Sequence, residues 1–172
     1  MGKKCLIIVD MQRGFLNQYT QDLPGKIAQF IQHHPAIDSI VATRYNNTPE
    51  TACYKLGQWK SCMAGTPDTE LSAEIRPYVQ RIFDKNTFSG FTPELKTFLQ
   101  QNAFQKVYFC GVNTDCCVLA TVFSCYDNVQ DCTVISDLCG STLGEKSHRH
   151  ALTLLQENIT SQRVIASRQI TD

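Results

Sequence analysis

The stretch Cys110-Gly111-Val112-Asn113-Thr114-Asp115-Cys116-Cys117-Val118 decides how this chain is read. An apolar run from Val107 to Cys110 has the character of a buried strand. It breaks at Gly111, and a helical pattern opens near Thr114 or Asp115. A thiol is thereby delivered into the first turn of a helix, where backbone N–H groups and the helix dipole favour a thiolate and any developing oxyanion. Two other polar residues close apolar runs in the same way: Asp10 after Leu6–Val9, and Lys85 after Ile82–Asp84. An acid, a cation and a thiol, each at a strand end, point to a cysteine hydrolase.

Outward from this stretch, apolar runs alternate with helical patterns. The pattern predicts strands over 4–10, 37–43, 81–84, 106–110, 132–136 and 163–166. Helices are expected after Pro24 to His34-Pro35, over 69–79, from Thr92-Pro93-Glu94 to Gln101, up to Asp127, and over 145–158. Thr92 reads as an N-cap with Pro93 at the first helical position. The segment 44–69 has no clear period and is rich in Asn, Thr, Gly and Pro. Strands apolar on both faces, each followed by a helix, imply a parallel sheet covered on both sides. Ligands of such α/β folds bind beyond the carboxyl ends of the strands. Asp10, Lys85 and the 111–117 turn all fall at that edge; periodicity leaves the strand order open.

Composition bounds the function. A chain of 172 residues suits one domain over 1–172, with no linker or repeat. It can bury roughly 70% of its unfolded surface without a disulfide or metal staple. The formal net charge is zero and no long charge run occurs, which argues against nucleic acid or an anionic membrane as partner. No apolar stretch is long enough to span a bilayer. The start, Lys3-Lys4 followed by a short apolar run, ends at Asp10 without a small-residue cleavage site and reads as a first buried strand. The nine cysteines are an odd number and include no Cys-x-x-Cys pair. Cys5, Cys110, Cys125 and Cys132 sit in apolar runs as small core residues, whereas Cys53, Cys62 and Cys139 fall in loops or strand ends, where exposure is open to them. The four histidines show no zinc spacing to the cysteines, so neither a metal nor another cofactor is expected.

The chemistry follows from the three strand ends. The thiolate is the reactive form of cysteine, and a helix N-terminus with a nearby ammonium lowers a thiol pKa. Lys85 supplies that cation. Asp10 can take the thiol proton and return it to a leaving amine. Backbone N–H groups around Asn113 and Cys117 can form an oxyanion hole. Each residue also has a plainer reading: packing for the cysteine, a turn former for the aspartate, a solvated lysine. Around this edge Arg44 is a candidate for binding a substrate carboxylate or else a surface ion pair. Phe15, Tyr45, Trp59 and Phe88 are candidates for flanking a flat or small substrate, or for packing and subunit contacts.

The chain resembles the isochorismatase-like cysteine hydrolases, a family that includes nicotinamidases, N-carbamoylsarcosine amidases and ureidoacrylate hydrolases. The matching pieces are Val9-Asp10-Met11-Gln12 with Phe15, Lys85-Asn86-Thr87-Phe88-Ser89-Gly90-Phe91, and Gly111 to Val118. Asp137, Ser141, His148, Ala151 and Leu152 fit more loosely. The resemblance implies an α/β fold, a three-layer αβα arrangement with a six-stranded parallel sheet of order 3-2-1-4-5-6 and helices on both faces. It implies a catalytic set of Asp10, Lys85 and Cys117, with Cys117 rather than Cys116 as nucleophile. A cis peptide between Val112 and Asn113 would aim the Asn113 N–H at the oxyanion. It further implies a cytoplasmic homo-oligomer, dimer or tetramer, acting on a small molecule. Metal-dependent nicotinamidases carry Asp-x-His after strand two, where this chain has Thr43-Arg44-Tyr45-Asn46. The expected activity is metal-independent C–N hydrolysis of a small amide, carbamoyl or ureido compound. The alternatives are a vinyl-ether hydrolase of isochorismatase type and a thiol redox or sensor protein, in which Cys116 would resolve an oxidised Cys117.

Overall fold

The computed structural model describes residues 2–128 and 130–170. Strands β1 (Lys4–Val9), β2 (Ser39–Tyr45), β3 (Arg81–Lys85), β4 (Lys106–Val112), β5 (Cys132–Gly140) and β6 (Val164–Ile165) form one sheet of order β3-β2-β1-β4-β5-β6. Every strand pair is parallel. Helices α1 (Leu23–His33), α2 (Ala52–Lys55), α3 (Pro93–Asn102), α4 (Leu119–Asp127) and α5 (Glu145–Ile159) pack around it. The chain winds from β1 toward β3, returns to β4, and winds the other way to β6. Right-handed crossovers in opposite directions place helices on both faces.

β1 lies at the centre, and Cys5 through Val9 are all fully buried, as a strand covered on two faces requires. α1 buries Leu23, Ile27, Phe30 and Ile31, the four-then-three spacing of one helical face. Each such side chain contributes about 1.5–3 kcal/mol on burial. α3 opens as its sequence dictates: Thr92 Oγ1 accepts from the Leu95 N–H at 3.3 Å, with Pro93 leading the helix. Gly111 pairs with Val9 at a positive φ of 111°, and a Cβ there would lie 2.2 Å from the Val9 carbonyl oxygen. Only glycine lets β4 press against β1 where the chain turns out to Asp10.

Four elements differ most from the sequence expectation. β4 runs through Gly111 to Val112 and does not end at Cys110. No helix forms over 69–79; a single 3-10 turn spans Arg76–Tyr78. The segment instead runs beside the end of β1, with Leu71 bridged to Gln12 and the Ser72 N–H donating to the Met11 carbonyl at 2.9 Å. β2 runs two residues later than expected, beginning at Ser39, because Arg44 and Tyr45 continue the ladder by pairing with Asp84 and Lys85. β5 continues past Ser136 to Gly140, through a register shift opposite Phe109–Gly111 that leaves Asp137 exposed mid-strand. Polar residues inside these strands hid their true ends.

Candidate active site

Asp10 leaves β1 with φ 45° and is fully buried. Thr43 on the neighbouring strand holds it twice: its Oγ1 donates to Asp10 Oδ1 at 2.7 Å and accepts the Asp10 N–H at 3.2 Å. Lys85, the last residue of β3, brings Nζ to 2.6 Å from Asp10 Oδ2, with side-chain exposures of 0% and 1%. The ammonium also donates to the carbonyl oxygens of Thr87 at 2.9 Å and Phe88 at 3.1 Å, and lies 5.0 Å from the centre of the Tyr45 ring. Burial alone would depress Lys85; the Asp10 carboxylate and the Cys117 thiol outweigh it, and its pKa is raised. The lysine is therefore an ammonium at neutral pH. Removing either partner of so buried a pair leaves an uncompensated charge, a cost of about 3–5 kcal/mol.

The 85–91 segment ties the lysine to the thiol. The Gly90 N–H donates to Thr121 Oγ1 at 2.8 Å, and that hydroxyl donates to the Cys117 carbonyl at 2.6 Å. Ser89 and Ser124 hydroxyls meet at 2.9 Å. A Cβ on Gly90 would stand 2.6 Å from Thr43 Cγ2, so glycine is needed for the segment to dock.

After β4 the Val112–Asn113 peptide is cis, and residues Thr114–Val118 form a wide π-type turn that runs into α4. The Asn113 carbonyl accepts the N–H groups of both Cys116 and Val118 at 3.0 Å. Cys117 lies between them, buried, at the base of a cavity. Its thiol pKa is pushed well up, first by its hydrogen bond with the Cys116 thiol, then by burial and by Asp10, against a downward pull from Lys85. The same thiol–thiol bond, together with Lys85, holds the half-buried Cys116 down. These influences favour the protonated thiol of Cys117, against the thiolate expected from its place at a helix start. The Cys116 thiol, burial and the Asp10 carboxylate together outweigh the ammonium. Thr114 Oγ1 is 2.8 Å from His148 Nδ1, which pins the turn to α5.

The cavity above Cys117 has a volume of about 610 Å³, within the range of small-molecule sites. Its walls include four aromatic residues expected there. Phe15 and Trp59 stack at 5.6 Å and 14°, Tyr45 meets Trp59 at 5.7 Å, and Phe88 stands at the rim, 55% exposed. Arg44 is not among the lining residues. Its guanidinium is spent on Asp84, with Nε at 2.6 Å from Oδ1 and Nη2 at 2.9 Å from Oδ2, so the surface ion pair is the reading that holds. Arg44 and Asp84 are register partners on adjacent strands, and that pairing sets the contact. Cys62 and Cys139 are not exposed but buried, and Cys53 is half-buried in the cavity wall. All nine cysteines are free thiols. Sequence reasoning missed Thr43, Asn17 and Thr142; of these only Thr43, at the same strand edge as Asp10, carried a signal. Among the described residues no group of three His, Cys, Asp or Glu side chains is placed to hold a metal ion. Nor is any helix of the described residues long and apolar enough to cross a membrane.

A family model for the isochorismatase domain matches residues 4–167. This chain belongs to the isochorismatase family. It is 30% identical over 141 residues to the secreted isochorismatase effector Isc1 of Phytophthora sojae (strain P6497), covering 80% of this chain and 61% of that protein. The chain therefore spans less than two thirds of that relative's length. Among solved structures, an isochorismatase-like hydrolase from Alkaliphilus metalliredigens superposes with a TM-score of 0.84 at 19% identity, covering 97% of this chain and 96% of that one. Nicotinamidase PncA from Bacillus subtilis superposes with a TM-score of 0.82 at 19% identity, covering 95% and 99%. Both share the fold of this isochorismatase-family chain, with its six-stranded parallel sheet.

Proposed function

We propose that this isochorismatase-family protein hydrolyses a C–N bond of a small amide, carbamoyl or ureido compound through a thioester on Cys117. The observation that carries the reading is a buried Asp10–Lys85 ion pair electrostatically coupled to a thiol at the base of an uncharged cavity. Asp10 Oδ2 takes the Cys117 proton as sulfur attacks the carbonyl carbon. The backbone N–H groups of Asn113 and Cys117 hold the oxyanion, and the tetrahedral species collapses as Asp10 returns the proton to the leaving nitrogen. A water, deprotonated by Asp10, cleaves the thioester and restores the thiol. A thiol pushed up in the resting site suits this order, since the proton moves when substrate arrives. Lys85 holds Asp10 in place through their ion pair and offsets charge at sulfur.

The second reading, a vinyl-ether hydrolase, is favoured by the name of the Phytophthora relative. Isochorismate carries two carboxylates, however, and none of the lining residues carries a formal charge, with Arg44 already committed to Asp84. Burying a carboxylate there without a counter-charge is costly. Nine free cysteines support a reducing working compartment, the cytoplasm, and we read the active form as a homo-oligomer. Ammonia release from a panel of small amides, carbamoyl and ureido compounds tests the proposal, with wild type and Cys117→Ala compared with and without chelator. Turnover that survives chelation and vanishes in Cys117→Ala is the expected result. Turnover retained in the variant would refute the thioester route.

A further inference from the structure

At the carboxyl edge of the sheet the carboxamides of Gln12, Asn47 and Asn17 are consumed by backbone. Gln12 Nε2 donates to the Tyr45 carbonyl at 2.9 Å while its Oε1 accepts the Tyr45 N–H at 2.7 Å. Asn47 Nδ2 donates to the carbonyls of Trp59 at 2.8 Å and Ser61 at 3.1 Å. Asn17 Nδ2 donates to the Thr142 carbonyl at 2.9 Å, and its Oδ1 accepts the Tyr19 N–H at 2.9 Å. Asn113 differs. Its Oδ1 accepts the Thr142 N–H at 2.7 Å, and because a backbone N–H can only donate, this fixes which end of the amide is oxygen. Its Nδ2 donates to none of the described residues, and the half-buried Asn113 lines the cavity together with Cys117.

We propose that the Asn113 carboxamide is a specificity-determining group. Its Nδ2 donates to an uncharged acceptor on the substrate, a carbonyl or ring nitrogen distinct from the scissile carbonyl. The partner class follows from the cavity. The stacked Phe15 and Trp59 rings and the exposed Leu56 favour a flat apolar body, and no cation among the lining residues favours a carboxylate. One neutral donor in such walls discriminates by hydrogen bonding: a substrate with an acceptor satisfies it, and one without leaves a donor stripped of water. For turnover this inference rests on the amide-hydrolase reading; for binding it does not.

Asn113→Asp isolates the donor. An aspartate oxygen still accepts the Thr142 N–H, so the structural bond is kept while the donor is lost and a charge is gained. The probes are 3-acetylbenzamide, 3-ethylbenzamide and 3-carboxybenzamide. Binding is read from the fluorescence of Trp59, the single tryptophan of the chain, and turnover from ammonia. The readout is the acetyl-to-ethyl ratio within each protein, which cancels any general effect of the new charge. Wild type is expected to favour the acetyl compound about tenfold, with the carboxy compound weakest, and the ratio is expected to fall to about one or below in Asn113→Asp. A wild-type ratio near one, a ratio unchanged in Asn113→Asp, tighter binding of the carboxy compound, or no binding of the acetyl compound would each overturn the assignment. Acetyl-selective binding without hydrolysis would leave the assignment standing and sink the amide-hydrolase reading. Hydrolysis without selectivity would do the reverse.

Discussion

Thr43 Oγ1 both donates to Asp10 Oδ1 at 2.7 Å and accepts that residue's own N–H at 3.2 Å, so one hydroxyl fixes the side chain and the backbone of the proposed base. Thr43→Val keeps the shape and deletes both bonds. It leaves a buried carboxylate oxygen without its donor, worth about 1–3 kcal/mol in stability. With Asp10 loosened beside Cys117, kcat/KM should fall on the order of tenfold for the best amide substrate. Chemical denaturation and steady-state kinetics check the two effects. A variant equal to wild type in both would show that Lys85 alone positions Asp10.

The two adjacent thiols differ in acidity in the opposite sense to their proposed roles. The bond between them holds Cys116 down and Cys117 up. Alkylation with iodoacetamide near neutral pH, followed by peptide mass mapping, should therefore label Cys116 before Cys117. Cys116→Ala removes the thiol that most raises Cys117, and labelling of Cys117 should then become faster at the same pH. If Cys117 is modified first in the wild type, the resting site holds a thiolate and Asp10 is not needed to form it.

His148 carries a pH dependence whose sign can be worked out. Burial pushes its pKa down, more than Glu145 and Asp115 push it up. The unfolded chain thus binds the proton more readily than the folded one. The stabilising contribution is full above the usual histidine value of about 6.5 and is lost as pH falls below it toward the depressed folded value. His148→Gln removes this titration and keeps a polar partner for Thr114. Urea midpoints measured from pH 5 to pH 8 should fall less steeply on the acid side in the variant. Parallel curves would assign the acid loss to other groups.

Much of this site was legible because its pieces end strands. Asp10, Lys85 and Cys117 each follow an apolar run, and a parallel sheet carries such ends to one edge regardless of strand order. Register was not legible. Arg44 has its cation matched by Asp84 only because the two residues face each other across β2 and β3, and no pattern within either strand reports that. The helix expected over 69–79 failed for a related reason: the backbone of Glu70, Leu71 and Ser72 pairs with residues 11–13 just past β1, a long-range pairing that local periodicity cannot express. The upward push on the Cys117 thiol was not legible either, because its burial and the approach of Asp10 are set by packing.

Gln12 places a primary amide against the peptide of Tyr45, donor to acceptor and acceptor to donor. In effect the side chain stands in for a missing residue of β1, adding one last rung to the ladder after the main chain has turned away to present Asp10. The strands can part at this point, opening room for a guest molecule, without stranding the polar groups of Tyr45 in an oily wall. Glutamate could accept but not donate, and asparagine is one methylene short. The motif Asp10-Met11-Gln12 is therefore two devices in three residues: the proposed base, and the splint that lets the sheet fray beside it.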